Sequence, residues 1–331
     1  METIELKSAV LHSLDQNPGT PVFSQSALDG SAFLNEYIRK RLRRLEKSEN
    51  CRISTTSSIL GQTLDQALAW TDWQIFYPLS VRLAEQIFEY RKGSGRGADL
   101  LAAVFQYEQR LYFYTAVLDY REALVHQLQQ QDERTALTLH PAQAVLPSAF
   151  TPVSLEFCTN LFDGSTRLVE KTEKGFAPLS RTLLNEQFDL SVKEKIQAAR
   201  QIVQQLHEQS DELEQISRRA EFKQKVTESL AEKESVDLET VLEEIYEQEP
   251  ERLIQAKARL QDQGLDHQRL TVPRSPAVTR LKTQKLVTDS GISLVLPVEA
   301  LQDRNVIEFL PQPDGSLSIL LKNVGHLKEK G

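Results

Sequence analysis

Two stretches of this chain carry enough cations to do chemistry on a polyanion. Between Gly30 and Arg52, seven Lys/Arg stand against three acids, a balance of +4, and Arg39, Lys40, Arg41, Arg43 and Arg44 fall in one short run. Between Arg269 and Thr288 lie Arg269, Arg274, Arg280, Lys282 and Lys285 with no acid, a balance of +5. Such side chains bind phosphates by displacing condensed counterions, and they position a protein on a duplex without reading its bases. The whole chain is acidic, with a formal net charge of -8, so any such contact has to be local. From charge alone, solvated faces laced with salt bridges account for both runs slightly better than phosphate contact.

Other chemistries find little footing. The run Gly93-Ser94-Gly95-Arg96-Gly97 leads from a predicted helix into a predicted strand and lacks a Gly-Lys-Ser/Thr ending, the reverse of a phosphate-binding loop. His12, His126, His140, His207, His267 and His326 show no paired-ligand spacing and no nucleophile motif beside them. Cys51 and Cys158 lack zinc-site spacing and are expected to be reduced and structural. Trp70, Trp73, Phe76 and Tyr77, and the strand aromatics Phe105, Tyr107, Tyr112, Phe113 and Tyr114, would stack on bases if exposed, but their spacing favours packing. No catalytic residue, metal or cofactor is therefore expected, and the chain is read as a non-enzyme.

The elements that must position the cations read as an α+β protein. Its parts are a mixed N-terminal α/β domain over 1–188, an acidic helical region over 189–264 and a β-rich C-terminal region over 265–331. In the first, Ile4 to Leu11 and Val22 to Leu28 read as strands. A basic helix follows from Leu34, with Tyr37, Ile38, Leu42 and Leu45 at helical spacing, and another helix runs from Trp73 to Tyr90. Leu100 to Tyr107 and Leu111 to Leu118 form a hairpin across Glu108 to Arg110, and weaker strands fall at Thr135 to Leu139, Ser154 to Asn160 and Thr166 to Glu170.

At Ser191, with Glu194 three residues on, a capping box opens a helix over Val192 to Leu206. Helices near Leu213 to Lys233, Leu238 to Glu247 and Pro250 to Gln263 follow, so 189–262 reads as almost wholly helical; the apolar stripe drifts near Ala220, where a break would fit. This region holds 18 acids and 11 bases, a balance of -7. Over 281–322 the alternation predicts an antiparallel β unit, its tip at Asp314-Gly315, packed against another domain because so small a sheet is marginal alone.

Length and composition bound the rest. A chain of 331 residues, 40% hydrophobic and 26% charged, has the make-up of a globular protein of two or three domains. Its longest apolar run, Leu100 to Phe105, is far short of the roughly 20 residues that span a bilayer. Met1 to Leu11 carries Glu2, Glu5 and Lys7, unlike a signal peptide. A cytoplasmic protein without membrane partners is expected.

Four stretches carry a resemblance: LKTQKLVTDSGISLVLPVEAL at 281–301, IEFLPQPDGSLSILLKNV at 307–324, ADLLAAVFQYEQRLYFYTAVL at 98–118 and LSRTLLNEQFDLSVKEKIQAA at 179–199. In content, order and overall length they resemble the bacterial 37-kDa nucleoid-associated protein family. The resemblance implies a cytoplasmic, nucleoid-located, DNA-binding protein for which there is no catalytic motif to carry over. Two functions are then expected. The first is non-specific duplex DNA binding through Arg39, Lys40, Arg41, Arg43, Arg44, Arg274, Arg280, Lys282 and Lys285. The alternative is an adaptor whose acidic helices dock on a DNA-processing protein. A homodimer is the further partner expectation.

Overall fold

The computed structural model describes residues 3–54, 69–92, 97–131, 134–171, 178, 180, 184, 187–271, 283–312 and 316–326. The chain divides into two compact units, Met1–Leu190 and Ser191–Gly331, and is α+β throughout.

The first unit is built on an antiparallel six-stranded sheet of order β1-β3-β4-β7-β8-β2. Its strands are β1 (Glu5–Ser13), β2 (Arg52–Ser54), β3 (Ala98–Tyr107), β4 (Arg110–Asp119), β7 (Leu155–Asn160) and β8 (Thr166–Glu170). Helix α1 (Ala32–Glu46) covers one face through Ile38, Leu42 and Leu45, which meet Leu101, Phe105 and Tyr114. Helix α2 (Trp73–Tyr90) covers the other through Phe76, Leu83 and Ile87, which meet Leu100, Phe113 and Phe157. With both faces dry, β3 and β4 need apolar residues at odd and even positions alike, hence their nearly unbroken apolar runs. Trp70, Phe105, Phe113 and Tyr114 are buried in these two layers and offer no stacking platform. Glu108 and Gln109 join the strands with φ of 47° and 63°, the twist a two-residue hairpin turn requires.

Two expectations fail in this unit. Val22 to Leu28 is not a strand: its backbone meets β1 at a bridge from Ser13 to Val22 and where the Leu28 N–H donates to the Ala9 carbonyl, and the Phe23 ring packs edge-on against His12. Conversely, β5 (Arg121–Gln131) and β6 (Arg134–Val145) form a long separate hairpin, of which the sequence indicates only Thr135 to Leu139. Residues that strands disfavour, Glu122 and Ala123 in β5 and Ala136, Pro141, Ala142 and Ala144 in β6, weaken its signal. Of the Gly-rich run only Gly97 lies within the described residues. A Cβ there would come within 2.6 Å of the Tyr120 ring, so a close approach is reason enough for glycine.

In the second unit, α3 (Val192–Leu206), α4 (Glu212–Lys233), α5 (Leu238–Ile245) and α6 (Pro250–Asp262) share a core that includes Ile202, Phe222, Val226, Leu242 and Leu260. Ser191 and Glu194 make the reciprocal capping box. α4 runs unbroken through Ala220, which is buried. The region is not wholly helical: Glu234, with φ of 51°, ends α4 and lets β9 (Ser235–Asp237) pair with β10 (Arg269–Thr271). The C-terminal strands make two separate hairpins rather than one sheet, β11 (Thr283–Val287) with β12 (Ser293–Pro297) and β13 (Ile307–Pro311) with β14 (Leu317–Leu321). Between them α7 (Val298–Gln302) packs on α4. The Asp314-Gly315 tip lies outside the described residues. Among the described residues no helix is long and apolar enough to cross a membrane.

Candidate nucleic-acid interface

Helix α1 starts at Ser31, whose hydroxyl accepts the Leu34 N–H and so satisfies one donor that a helix start leaves open. Its buried stripe is Ile38, Arg41, Leu42 and Leu45, the i, i+3, i+4, i+7 spacing of one helical face. Arg41 therefore points into the protein. Its guanidinium donates to both oxygens of Glu156, at 2.9 and 2.7 Å, and to the Thr151 carbonyl at 2.5 Å. The Tyr114 hydroxyl donates to the same carboxylate at 2.6 Å. Burial works against the Arg41 charge, but the pull of Tyr114 and Glu156 outweighs it and raises the pKa. Burial also pushes Glu156 up, opposed by Arg41 and the Tyr114 hydrogen bond; two guanidinium donors on its two oxygens are the geometry of a carboxylate. Burial raises Tyr114 well above an ordinary phenol, which keeps it a donor.

The expectation that Arg41 contacts DNA is thus corrected, because a fully buried cation spent on an internal carboxylate has no reach to a phosphate. The other members of the run stay at the surface. Arg39 donates to Glu36 at 2.8 and 2.6 Å. Lys40 lies 3.4 Å from the same carboxylate and 5.6 Å from the Phe150 ring centroid. Arg43 and Arg44 are half-buried; Arg44 donates to the Thr151 carbonyl at 3.3 Å, and burial, with Arg41 nearby, lowers its pKa. Lys47, at the C-cap, is exposed. Cations in this last turn also complement the helix dipole.

The N-terminal half of α1 offers something different. There Leu34, Tyr37, Leu118, Leu146 and Phe150 line an apolar groove of about 690 Å³, and Phe33 beside it is 79% exposed. The cationic edge is therefore confined to the C-terminal half, from Arg39 to Lys47. In the second unit Lys285 is exposed on β11, opposite Val295, while Arg274, Arg280 and Lys282 lie outside the described residues.

His12, Cys51 and Cys158 have structural surroundings. His12 Nε2 sits 2.9 Å from Ser80 Oγ, but that hydroxyl donates to the Tyr77 carbonyl at 2.7 Å and is not primed as a nucleophile. Burial lowers His12 to about 4. Burial pushes the Cys51 thiol up to about 11 and Cys158 further, away from the reactive thiolate.

A family model described as nucleoid-associated protein YejK matches residues 10–328. The chain belongs to this family. No curated protein matches it. The match runs through both compact units, so the nucleoid-associated role is that of the whole chain, and the family's description is not that of an enzyme. Within this nucleoid-associated protein, sequence reasoning found the basic helix but missed that one of its cations holds the helix to the sheet. The signal was present: Arg41 completes the stripe of Ile38, Leu42 and Leu45.

Proposed function

We propose that this nucleoid-associated protein binds duplex DNA directly, with little sequence preference, through local basic segments. What carries the reading is the surface edge of Arg39, Lys40, Arg43, Arg44 and Lys47 on one helix of an otherwise acidic chain. The buried Arg41–Glu156 pair supports it, because a helix fixed to its sheet presents its outer cations without an ordering cost at binding. Lys285, with Arg274, Arg280 and Lys282, forms the second contact segment. Phosphates are the target, because long side chains on a helix edge suit a charged backbone and carry no base information.

Replacing Lys40, Arg43 and Lys47 together by Gln is expected to weaken binding about tenfold or more, equally on unrelated duplexes, with little change in thermal stability. Affinity unchanged in the folded triple variant would contradict the basic-edge reading. If the intact protein fails to bind duplex DNA at roughly 50 mM salt, the adaptor reading replaces it, with the acidic helices docking on a basic DNA-processing partner. Internal pairing weakens that second reading: Glu214 and Glu249 lie 2.8 and 2.7 Å from Arg252, Glu239 3.1 Å from Lys257 and Glu244 3.0 Å from Lys225.

A further inference from the structure

The charges of the β5–β6 hairpin are confined to its ends, and the leucines along its length are exposed. From Ala123 to Gln131 and from Thr135 to Val145 there is no Asp, Glu, Lys or Arg, in a chain where these make up 26% of residues. The register sets Leu124 opposite Pro141, His126 opposite Leu139 and Leu128 opposite Leu137. Opposed residues share a face, and every second residue along a strand returns to it. Leu124, Leu128, Leu137 and Leu139 therefore form one stripe, and they are 72, 62, 68 and 69% exposed. The opposite face carries Gln127 opposite Thr138 and Val125 opposite His140, with Thr138 Oγ1 3.0 Å from His140 Nε2. The arm is amphipathic and its apolar side is uncovered.

A lone two-stranded hairpin is marginal in water, and a contiguous apolar patch of this size marks an interaction site. We propose that the leucine face is covered by the same face of a second copy of this chain, making a homodimer. Charge and area identify the occupant. A polyanion finds no cation on this face, and a charged protein surface finds no counter-charge. Two chains of net charge -8 approach each other at least cost where neither carries charge. The four leucines with His126 and Pro141 expose on the order of 600 Å² per copy, so their pairing buries about 1,200 Å², the lower end of stable specific interfaces. An isologous contact needs a surface complementary to itself, which a leucine ridge supplies. The dimer joins two α1 edges in one particle, so weak phosphate contacts act together.

Sedimentation velocity on the full chain tests this. The wild type is expected to be a dimer at micromolar concentration, and the variant Leu128→Lys/Leu137→Lys a monomer with unchanged near-ultraviolet circular dichroism, its dissociation constant raised at least about a hundredfold. Gln127→Lys/Thr138→Lys, on the opposite face, should stay dimeric. A monomeric wild type, a dimeric leucine variant or a monomeric opposite-face variant would each overturn the proposal. Amide exchange reads the same contact without substitution: amides over 124–141 are expected to exchange more slowly as wild-type concentration rises, and exchange independent of concentration would count against the arm.

Discussion

Arg41→Ala is expected to destabilise the protein by about 3–5 kcal/mol, the cost of leaving a buried carboxylate without its counter-charge. Once the guanidinium is gone, Glu156 retains the Tyr114 hydroxyl as a donor but no counter-charge on its two oxygens. Urea unfolding measures the loss, and a change below about 1 kcal/mol would mean that the pair does not hold α1 to the sheet. The apolar replacement Arg41→Met/Glu156→Leu should recover most of the stability, since a well-packed apolar pair often equals a buried ion pair. That double variant should also bind DNA as the wild type does. This separates Arg41 from its neighbours Arg43 and Arg44, which share its charge but not its burial.

Acid sensitivity is the second large effect. His12 is buried, its Nδ1 has no hydrogen-bond partner among the described residues, and burial lowers its pKa from 6.5 to about 4. As pH falls below 6.5 the unfolded chain takes up a proton at this site that the folded protein refuses until about 4. The stabilisation is thus complete above pH 6.5 and is lost on the way down, by about 2–3 kcal/mol at pH near 4.5. His12→Gln keeps a polar group for Ser80 and does not titrate. Its urea stability should fall less than the wild type's between pH 7 and about 4.5, by that same difference. Equal falls in the two proteins would show that His12 is not the group responsible.

The legible parts of the fold are those where local chemistry and burial agree. The helix read roughly over Trp73 to Tyr90 forms there, and the Ser191/Glu194 box marks the start of α3 because both capping partners are local. Glu156, which decides the role of Arg41, is 115 residues away in sequence, and a charge count cannot separate a solvated arginine from one buried on a distant carboxylate. The β5–β6 arm escapes notice for another reason: its leucines lie among Gln, Thr and His, and Pro141 falls inside one strand, where a proline argues against the assignment. The short strand β9 depends on Val236 finding cover beside Leu270, a tertiary contact that three residues cannot announce.

An acidic nucleoid-associated protein with local basic edges is expected to hold duplex DNA through a few phosphate contacts. The affinity of the full chain for a mixed-sequence duplex, followed from about 50 to 200 mM salt, tests it most directly. With about three to five phosphates neutralised, log affinity should fall against log salt with a slope of roughly -3 to -4.5, the same on an unrelated sequence. A slope near zero, or affinity confined to one sequence, would contradict the account.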